Sequence, residues 1–401
     1  MATPSTSADR DPGTTPVVVA ACRTAIGRAH ADRGLFRHVR GDALAAAVVE
    51  AVVARSGVDP ATIEDVVLGA TQQRGELGGN VGRTVALMAG LPFAVAGTTV
   101  NRLCGSSLQA LAQACHAIAA GAENVQVVAG VEHMHHLPMG SGVDIHPRAF
   151  ARSSRGMLSM GLTAEHLAAA HGIDRLRQEE FAVASHEKAA RAADTGLFRD
   201  EIVRVTGHDE EGRPVEADRD QSIRGDTNLA AMAALEPAFL PTLGTITAAT
   251  SAPLSDGAAA VLVMSEAEAR RQSLAPLARI VATAVVGVPP AAMGTGPIAA
   301  TRKLLARVAG RGITLADIGS VELNEAFAAQ ALHCIDEIGL DPARVNVRGG
   351  ALAIGHPLGA TGARIVTTLL HAMRSGGTRL GLATMCIGLG QGIAVLLEHA
   401  E

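Results

Sequence analysis

Asn101-Arg102-Leu103-Cys104-Gly105-Ser106-Ser107-Leu108 is the segment on which the rest of the chain is organised. A strand-like run, Thr98-Thr99-Val100, ends just before it. A helix-like run follows, with Leu108, Leu111, Cys115 and Ile118 spaced along one apolar face. Cys104 therefore falls where strand turns into helix. A thiol at that point meets the positive end of the helix dipole and free backbone N–H groups, both of which favour thiolate. Gly105 leaves room beside the sulfur. The alternative is a buried structural cysteine, the common fate of a free thiol.

Outward from this unit the pattern is strand, helix, strand. Val17 to Ala20 and Val66 to Gly69 read as buried strands. Asp42 to Arg55 reads as a helix with Asp42 as its N-cap. Gly78-Gly79-Asn80 opens another helix, and Val125 to Val128 is a strand. This alternation predicts an α/β fold with a mainly parallel sheet covered on both faces. From Glu132 to about Phe239 the chain turns Arg-, His- and Asp-rich, with helices over Ala164–Ala170 and Gln178–Ala193. The segment reads as an insertion lying over the sheet. Apolar runs return at Thr245–Ala248 and Gly257–Met264. A second α/β unit follows, with strands at Arg279–Val286 and Val321–Leu323. Its helices fall at Pro297–Val308, Glu325–Ile338 and Ala360–Met373, with a glycine-rich loop at Gly349–His356. Leu380–Thr384 is a strand, Cys386–Gly392 a turn and Ile393–Leu397 the return strand. Two similar halves flanking an insertion suggest a duplicated fold.

The 401 residues suit two or three domains, and the Ala- and Gly-rich composition suits tight strand–helix packing. A net charge of -5 gives no reason to expect nucleic acid. No stretch has the apolar length of a membrane span. The five cysteines, Cys22, Cys104, Cys115, Cys334 and Cys386, are odd in number and widely spaced, arguing against a disulfide framework and for a reducing, cytoplasmic setting. Residues 1–15, rich in Ser, Thr and Pro, are expected to form a disordered tail.

Three further segments lie after strands or in glycine-rich loops: Asn324-Glu325-Ala326-Phe327, Gly355-His356-Pro357-Leu358-Gly359 and Cys386-Ile387-Gly388-Leu389-Gly390. Such positions gather at the strand ends where α/β sites form. His356, between glycine and proline, is positioned by backbone rather than held in an apolar stripe; the alternative is a solvated surface histidine. Cys386 among glycines has little to pack against, and reads equally as structural or functional. His133, His135 and His136 form a histidine cluster. No carboxylate or cysteine partners it at ligand spacing, so no metal is expected.

Taken together, these segments resemble the thiolase family over nearly the whole chain from about Pro16. Supporting pieces are Gly161–Glu165, Leu254–Ala260, Gly349–Arg364 and Met385–Gly392. Gly130–Met134 and Gly142–Asp144 look most like the thiolase subunit of bacterial fatty-acid oxidation complexes. The resemblance implies a duplicated five-layer α-β-α-β-α architecture with an inserted loop domain. Its boundaries would be an N-terminal half over 16–131 and 240–275, the loop domain over 132–239 and a C-terminal half over 276–401. It also implies roles. Cys104 would be the nucleophile that becomes acylated, and His356 would take its proton. Cys386 would handle the proton at the α-carbon of acetyl-CoA. Asn324, through a water, and His356 would form one oxyanion hole; the N–H groups of Cys104 and Gly388 would form the other. Arg224 would meet the nucleotide end of coenzyme A, and Met160, Ser251 and Phe327 would line the substrate tunnel. No permanent cofactor is implied; coenzyme A is a substrate. The implied partners are acyl-CoA, a second copy of the chain in a dimer or dimer of dimers, and a hydratase/dehydrogenase subunit.

The implied activity is CoA-dependent cleavage of a 3-ketoacyl-CoA. Acetoacetyl-CoA and 3-oxoadipyl-CoA cleavage share its mechanism. A decarboxylating condensing enzyme is disfavoured because it would carry a histidine where this chain has Cys386. A non-catalytic acyl-CoA-binding subunit is disfavoured because all four chemical residues are kept. One departure stands out. Ala249 replaces a glycine usual in the family, and Ala252 falls where the family has a serine that bonds the pantetheine arm, with Ser251 as its stand-in.

Overall fold

The computed structural model describes residues 11–400. Residues 1–10, most of the expected tail, lie outside that range. Residues 11–15 do not follow the expectation: Thr15 is buried, and the carbonyls of Pro12 and Thr15 accept from Ala267 and Glu266 N–H.

Nine main strands share one sheet. The first half contributes β1 (Pro16–Thr24), β2 (Asp65–Gly69), β3 (Ala96–Val100), β4 (Val125–His133) and β5 (Ser255–Ser265). The second contributes β6 (Ala278–Gly287), β7 (Ile318–Leu323), β8 (Leu380–Ile387) and β9 (Gln391–His399). Their order is β7-β8-β9-β6-β1-β5-β4-β2-β3. The halves meet through the short antiparallel pairing of Val17 with Arg279 and Val18 with Ala278. Each half repeats one plan. β2 and β4 are parallel, as are β7 and β8; β5 runs antiparallel between β4 and β1, as β9 does between β8 and β6. Even the edge strand β3 has a remnant counterpart, the parallel bridge of Val345 to Val321. The duplication expected from the sequence is therefore present.

The strand sense is not as expected. Five of the eight pairings along this order are antiparallel. β8 and β9 are joined by a three-residue turn, which only an antiparallel pair allows. β5 re-enters from the same end at which β4 leaves. Because every main strand but β3 is largely buried, each reads as a continuous apolar run, the pattern of a parallel sheet.

Helices complete five layers. α1 (Gly41–Ser56) covers the outer face of the first half, and its apolar stripe joins Val66, Val127 and Leu262 in one core. Asp42 does not cap it; the N-cap is Arg40, which holds Asp42 in an ion pair. Between the halves run α2 (Ser106–Ala119) and the later helix over Leu358–Gly376, whose Leu108, Leu111, Ile365 and Leu369 share a second core with Val128, Val261, Ile393 and Val395. Over the insertion lie α3 (Met160–His171) and α4 (Arg175–Asp194). α5 (Gly296–Val308) and α6 (Ala328–Ile338) cover the outer face of the second half. Counting in chain order, Leu358–Gly376 is α7. α6 begins three residues later than expected, because Phe327 runs extended and bridges Ser251. The glycine-rich loop before His356 contains a short helix, Ala351–Ile354.

The two central helices touch backbone to backbone. A Cβ on Gly362 would lie 2.2 Å from the Leu108 nitrogen, and the Ala363 N–H donates to Ser107 Oγ at 2.9 Å. Gly362→Ala should therefore force α2 and α7 apart. We expect a loss of about 1–3 kcal/mol, the usual cost of overpacking, read as a lower denaturation midpoint; an unchanged midpoint would show that the contact is slack.

Candidate active site

The contact at Gly362 and Leu108 decides where the chemistry collects. Cys104 lies four residues before Leu108, and His356 six before Gly362. Joining the first turns of α2 and α7 brings the segments preceding both helices to one place. Glycines allow it: a Cβ on Gly69 would meet Ser107 N at 2.3 Å, and one on Gly130 would meet Gly359 O at 2.5 Å.

Cys104 occupies the turn between β3 and α2, partly open to solvent. Leu103, just before it, is held in the left-handed region at φ 46°. Its N–H donates to Asn101 Oδ1 at 2.9 Å, a bond that offsets part of that strain. Arg102 bonds Gln391 Oε1 at 2.8 Å, which ties this turn to the turn between β8 and β9. There the backbone N–H groups of Gly388 and of Cys104 itself face the Cys104 sulfur. Both N–H groups favour thiolate, yet burial outweighs them and pushes the thiol up to about 11. At rest Cys104 is therefore a thiol and needs a base, the role the family resemblance gives to His356.

Cys386 is 2 % exposed and lies inside β8, not in a turn. It packs with Phe327, Met293, Ile246 and Met160. The expectation that little packs around it is wrong because those apolar residues, Met160 in the insertion, Ile246 after it, Met293 before α5 and Phe327 before α6, are far away in sequence. Burial raises its thiol well above the ordinary value, and the nearby Cys104 raises it further. The segments that carry the two sulfurs touch: a Cβ on Gly105, next to Cys104, would lie 2.5 Å from Ile387 Cδ1, next to Cys386.

His356 is buried, its N–H bonded to Ser255 Oγ at 3.1 Å. Its Nδ1 lies 2.7 Å from Thr361 Oγ1, whose own proton goes to the Pro357 carbonyl at 3.0 Å. That network assigns the ring proton to Nδ1 and leaves Nε2 as an acceptor. Burial, helped by the Arg364 charge, drives the imidazole down to about 3, so it stays neutral. Nε2 faces Asn324 Nδ2 at 3.4 Å. Asn324 follows β7, is fully buried, and its Oδ1 has no partner among the described residues. A basic nitrogen, two thiols, an amide and two convergent N–H groups can support covalent acyl transfer coupled to proton transfer.

A cavity of about 300 Å³ is lined by Arg28, His186, Arg224, Ala249, Ser251 and Leu352, among others. Arg224 and Ser251 thus fall where expected. Arg28 was not foreseen; burial and the nearby Arg224 and Arg33 charges push its guanidinium down, a setting that suits an anion. Ser251 Oγ donates to Thr247 O at 2.8 Å, so it is left as an acceptor. Ser251 also bridges Phe327, which connects the cavity wall to the cluster around Cys386. Met160 lies over the Gly388 turn: a Cβ on Gly388 would be 3.6 Å from its sulfur.

The histidine cluster does find a carboxylate. Glu76 approaches His133 and His136 from the segment before the helix at residues 81–88. The imidazole nitrogens are already engaged, however. His133 Nε2 faces Phe36 O at 3.1 Å and its Nδ1 accepts from His136 N, while His136 faces Glu76 at 3.0 Å and Arg37 O at 2.9 Å.

A duplicated five-layer α/β fold with paired thiols between its halves defines a class of acyl-transferring enzymes. The chain belongs to the thiolase family: the thiolase N-terminal domain matches residues 16–267 and the C-terminal domain 274–399. It is 50 % identical to the 3-ketoacyl-CoA thiolase of Erwinia tasmaniensis, over 96 % of this chain and 99 % of that one. The human mitochondrial 3-ketoacyl-CoA thiolase in complex with CoA superposes with a TM-score of 0.86 at 33 % identity, covering 96 % of this chain and 98 % of that one. A Bacillus anthracis acetyl-CoA acetyltransferase gives 0.87 at 37 % identity, with the same coverage of both chains.

Proposed function

We propose that this protein is a 3-ketoacyl-CoA thiolase, acting through an acyl group on Cys104. The observation that carries the reading is the convergence of Cys104, Cys386, His356 and Asn324, from four distant segments, beside a cavity with two arginines. His356 Nε2 takes the Cys104 proton, and the sulfur attacks the ketone carbon of the substrate. Breaking the bond between carbons two and three releases the enolate of acetyl-CoA, which takes its proton from Cys386. Coenzyme A then enters, gives its thiol proton to the Cys386 thiolate and accepts the acyl group. His356 returns its proton to Cys104. The N–H groups of Cys104 and Gly388 stabilise one oxyanion, and Asn324 with His356 the other. Arg224 and Arg28 hold the phosphates, and Met160, Phe327 and Ser251 line the path to Cys104.

The chain acts as a homodimer in this reading. β3 is a free sheet edge, and nearby Leu87, Met88 and Phe93 are exposed, Phe93 at 86 %. Residues 132–239 form the loop domain inserted within the N-terminal half, which resumes at 240–275. Five free thiols support a cytoplasmic setting, where a hydratase/dehydrogenase subunit would supply the ketone.

Thiolysis of long-chain 3-ketoacyl-CoA, acetoacetyl-CoA and 3-oxoadipyl-CoA tests the reading. Parallel double-reciprocal plots against coenzyme A, with the long-chain substrate preferred, are expected. Preference for either short substrate would move the chain to a neighbouring thiolase activity; cleavage of none would sink the proposal.

A further inference from the structure

Glu132 ends the inward run of β4, Val125–Val131, and is wholly buried. No cation pairs with it among the described residues. Its carboxylate instead accepts four bonds: from Thr71 Oγ1 at 2.6 Å, Thr71 N at 3.2 Å, Gln72 N at 3.2 Å and Gly359 N at 2.9 Å. Four donors and no acceptor select the ionised form, despite the upward push of burial. An unpaired buried carboxylate is costly unless such bonds offset it, and an apolar side chain would fill the space without that cost. The charge needs a reason to be there.

That reason lies in what the four donors belong to. In one direction, Thr71 O accepts from Asn101 Nδ2 at 3.1 Å, and Asn101 Oδ1 holds the N–H of the strained Leu103 beside Cys104. In the other, Gly359 opens α7 three residues after His356, and its N–H is one of the helix's unpaired donors. A Cβ on Gly359 would lie 2.5 Å from Val131 O and 3.0 Å from Glu132 Oε2, so the helix end is pressed against the carboxylate.

We propose that Glu132 is a positioning residue, its ionised carboxylate clamping the Cys104 turn and the His356 loop into one register. The inference rests on the proposed function in taking those two as the reacting pair. The clamp has an electrical signature, because its negative charge opposes ionisation of Cys104. Cys386 and, in the proposed reading, His356 are the other titrating groups beside that sulfur, and both are unchanged in the variants below.

The test uses the full-length protein and two readouts: acylation of Cys104 by an acyl-CoA, followed by intact mass, and alkylation of Cys104 by iodoacetamide against pH, followed by peptide mass. Glu132→Gln should slow acylation by about 10- to 100-fold, the cost of misplacing a reacting group. It should also move the alkylation midpoint down by about half to one unit, as loss of a nearby negative charge requires. Thr71→Val, which removes one bond and keeps the charge, should slow acylation and leave the midpoint in place; it also serves if the first variant does not fold. Slower acylation of Glu132→Gln with an unmoved midpoint, or wild-type acylation in either folded variant, overturns the proposal. Alkylation needs no acyl-CoA. A wild-type protein that is alkylated at Cys104 but never acylated would overturn the proposed function instead, leaving the electrostatic half of this test intact.

Discussion

Cys104→Ser is expected to abolish acyl-enzyme formation and to lower thiolysis by about 10⁵- to 10⁶-fold, the scale seen when the nucleophile of a concerted catalytic group is removed. The neutral His356 imidazole, held down to about 3 by burial and Arg364, is a weak base. It can take a proton from a thiol at about 11 only because two N–H groups stabilise the sulfur anion as it forms. A serine hydroxyl ionises several units higher still and gains no comparable nucleophilicity. Serine is slightly smaller than cysteine and the position is partly open, so the fold should tolerate it. The measurement is intact mass after mixing with an acyl-CoA. The wild type should gain one acyl group and the variant none; equal gain in both would remove Cys104 from its role.

The Cys104 turn could be read from the sequence because its signals are local: a strand end, a glycine and a helix start within eight residues. The same holds for the Gly355-His356-Pro357 segment ahead of α7. What sequence could not supply was anything set by contact across the fold. Cys386 reads as an exposed turn residue because its glycines are adjacent, while Phe327, Met293 and Ile246, which bury it, are not. Strand sense was lost because a strand buried on both faces carries no alternation to mark it. Glu76 was missed as the partner of His136 because it arrives from another loop. Arg28 lies almost two hundred residues before Arg224, and no spacing rule joins them. Glu132 did leave a local trace, a lone carboxylate ending the apolar run Val125–Val131. Recognising it as a site residue required knowing that Thr71 and Gly359 converge there.

Cys386→Ser should separate the two halves of the reaction. Transfer of an acyl group from acyl-CoA to Cys104 exchanges one thioester for another. It draws on Cys104, His356 and the donors at Gly388, all untouched. Making or breaking the carbon–carbon bond also moves a proton at the α-carbon of acetyl-CoA, and the proposed carrier is the Cys386 thiol. Burial and the neighbouring Cys104 keep that thiol protonated at neutral pH, poised as the acid that quenches an enolate. A serine hydroxyl in the same apolar cluster is too weak an acid to give that proton quickly, and its alkoxide is too costly to form for the reverse step. Acylation should therefore persist within a few-fold of wild type. Condensation and thiolysis should fall by about 10³- to 10⁴-fold, the upper range for loss of a general acid–base. Exchange of deuterium from solvent into the methyl group of acetyl-CoA reads the proton step alone and should be lost with them. Because a buried hydroxyl destabilises an apolar cluster, Cys386→Ala belongs beside it: it keeps the packing, removes the proton carrier and should show the same split. Exchange at the wild-type rate in either variant would mean that another group moves the α-proton, with Cys386 only packing against Phe327 and Met293.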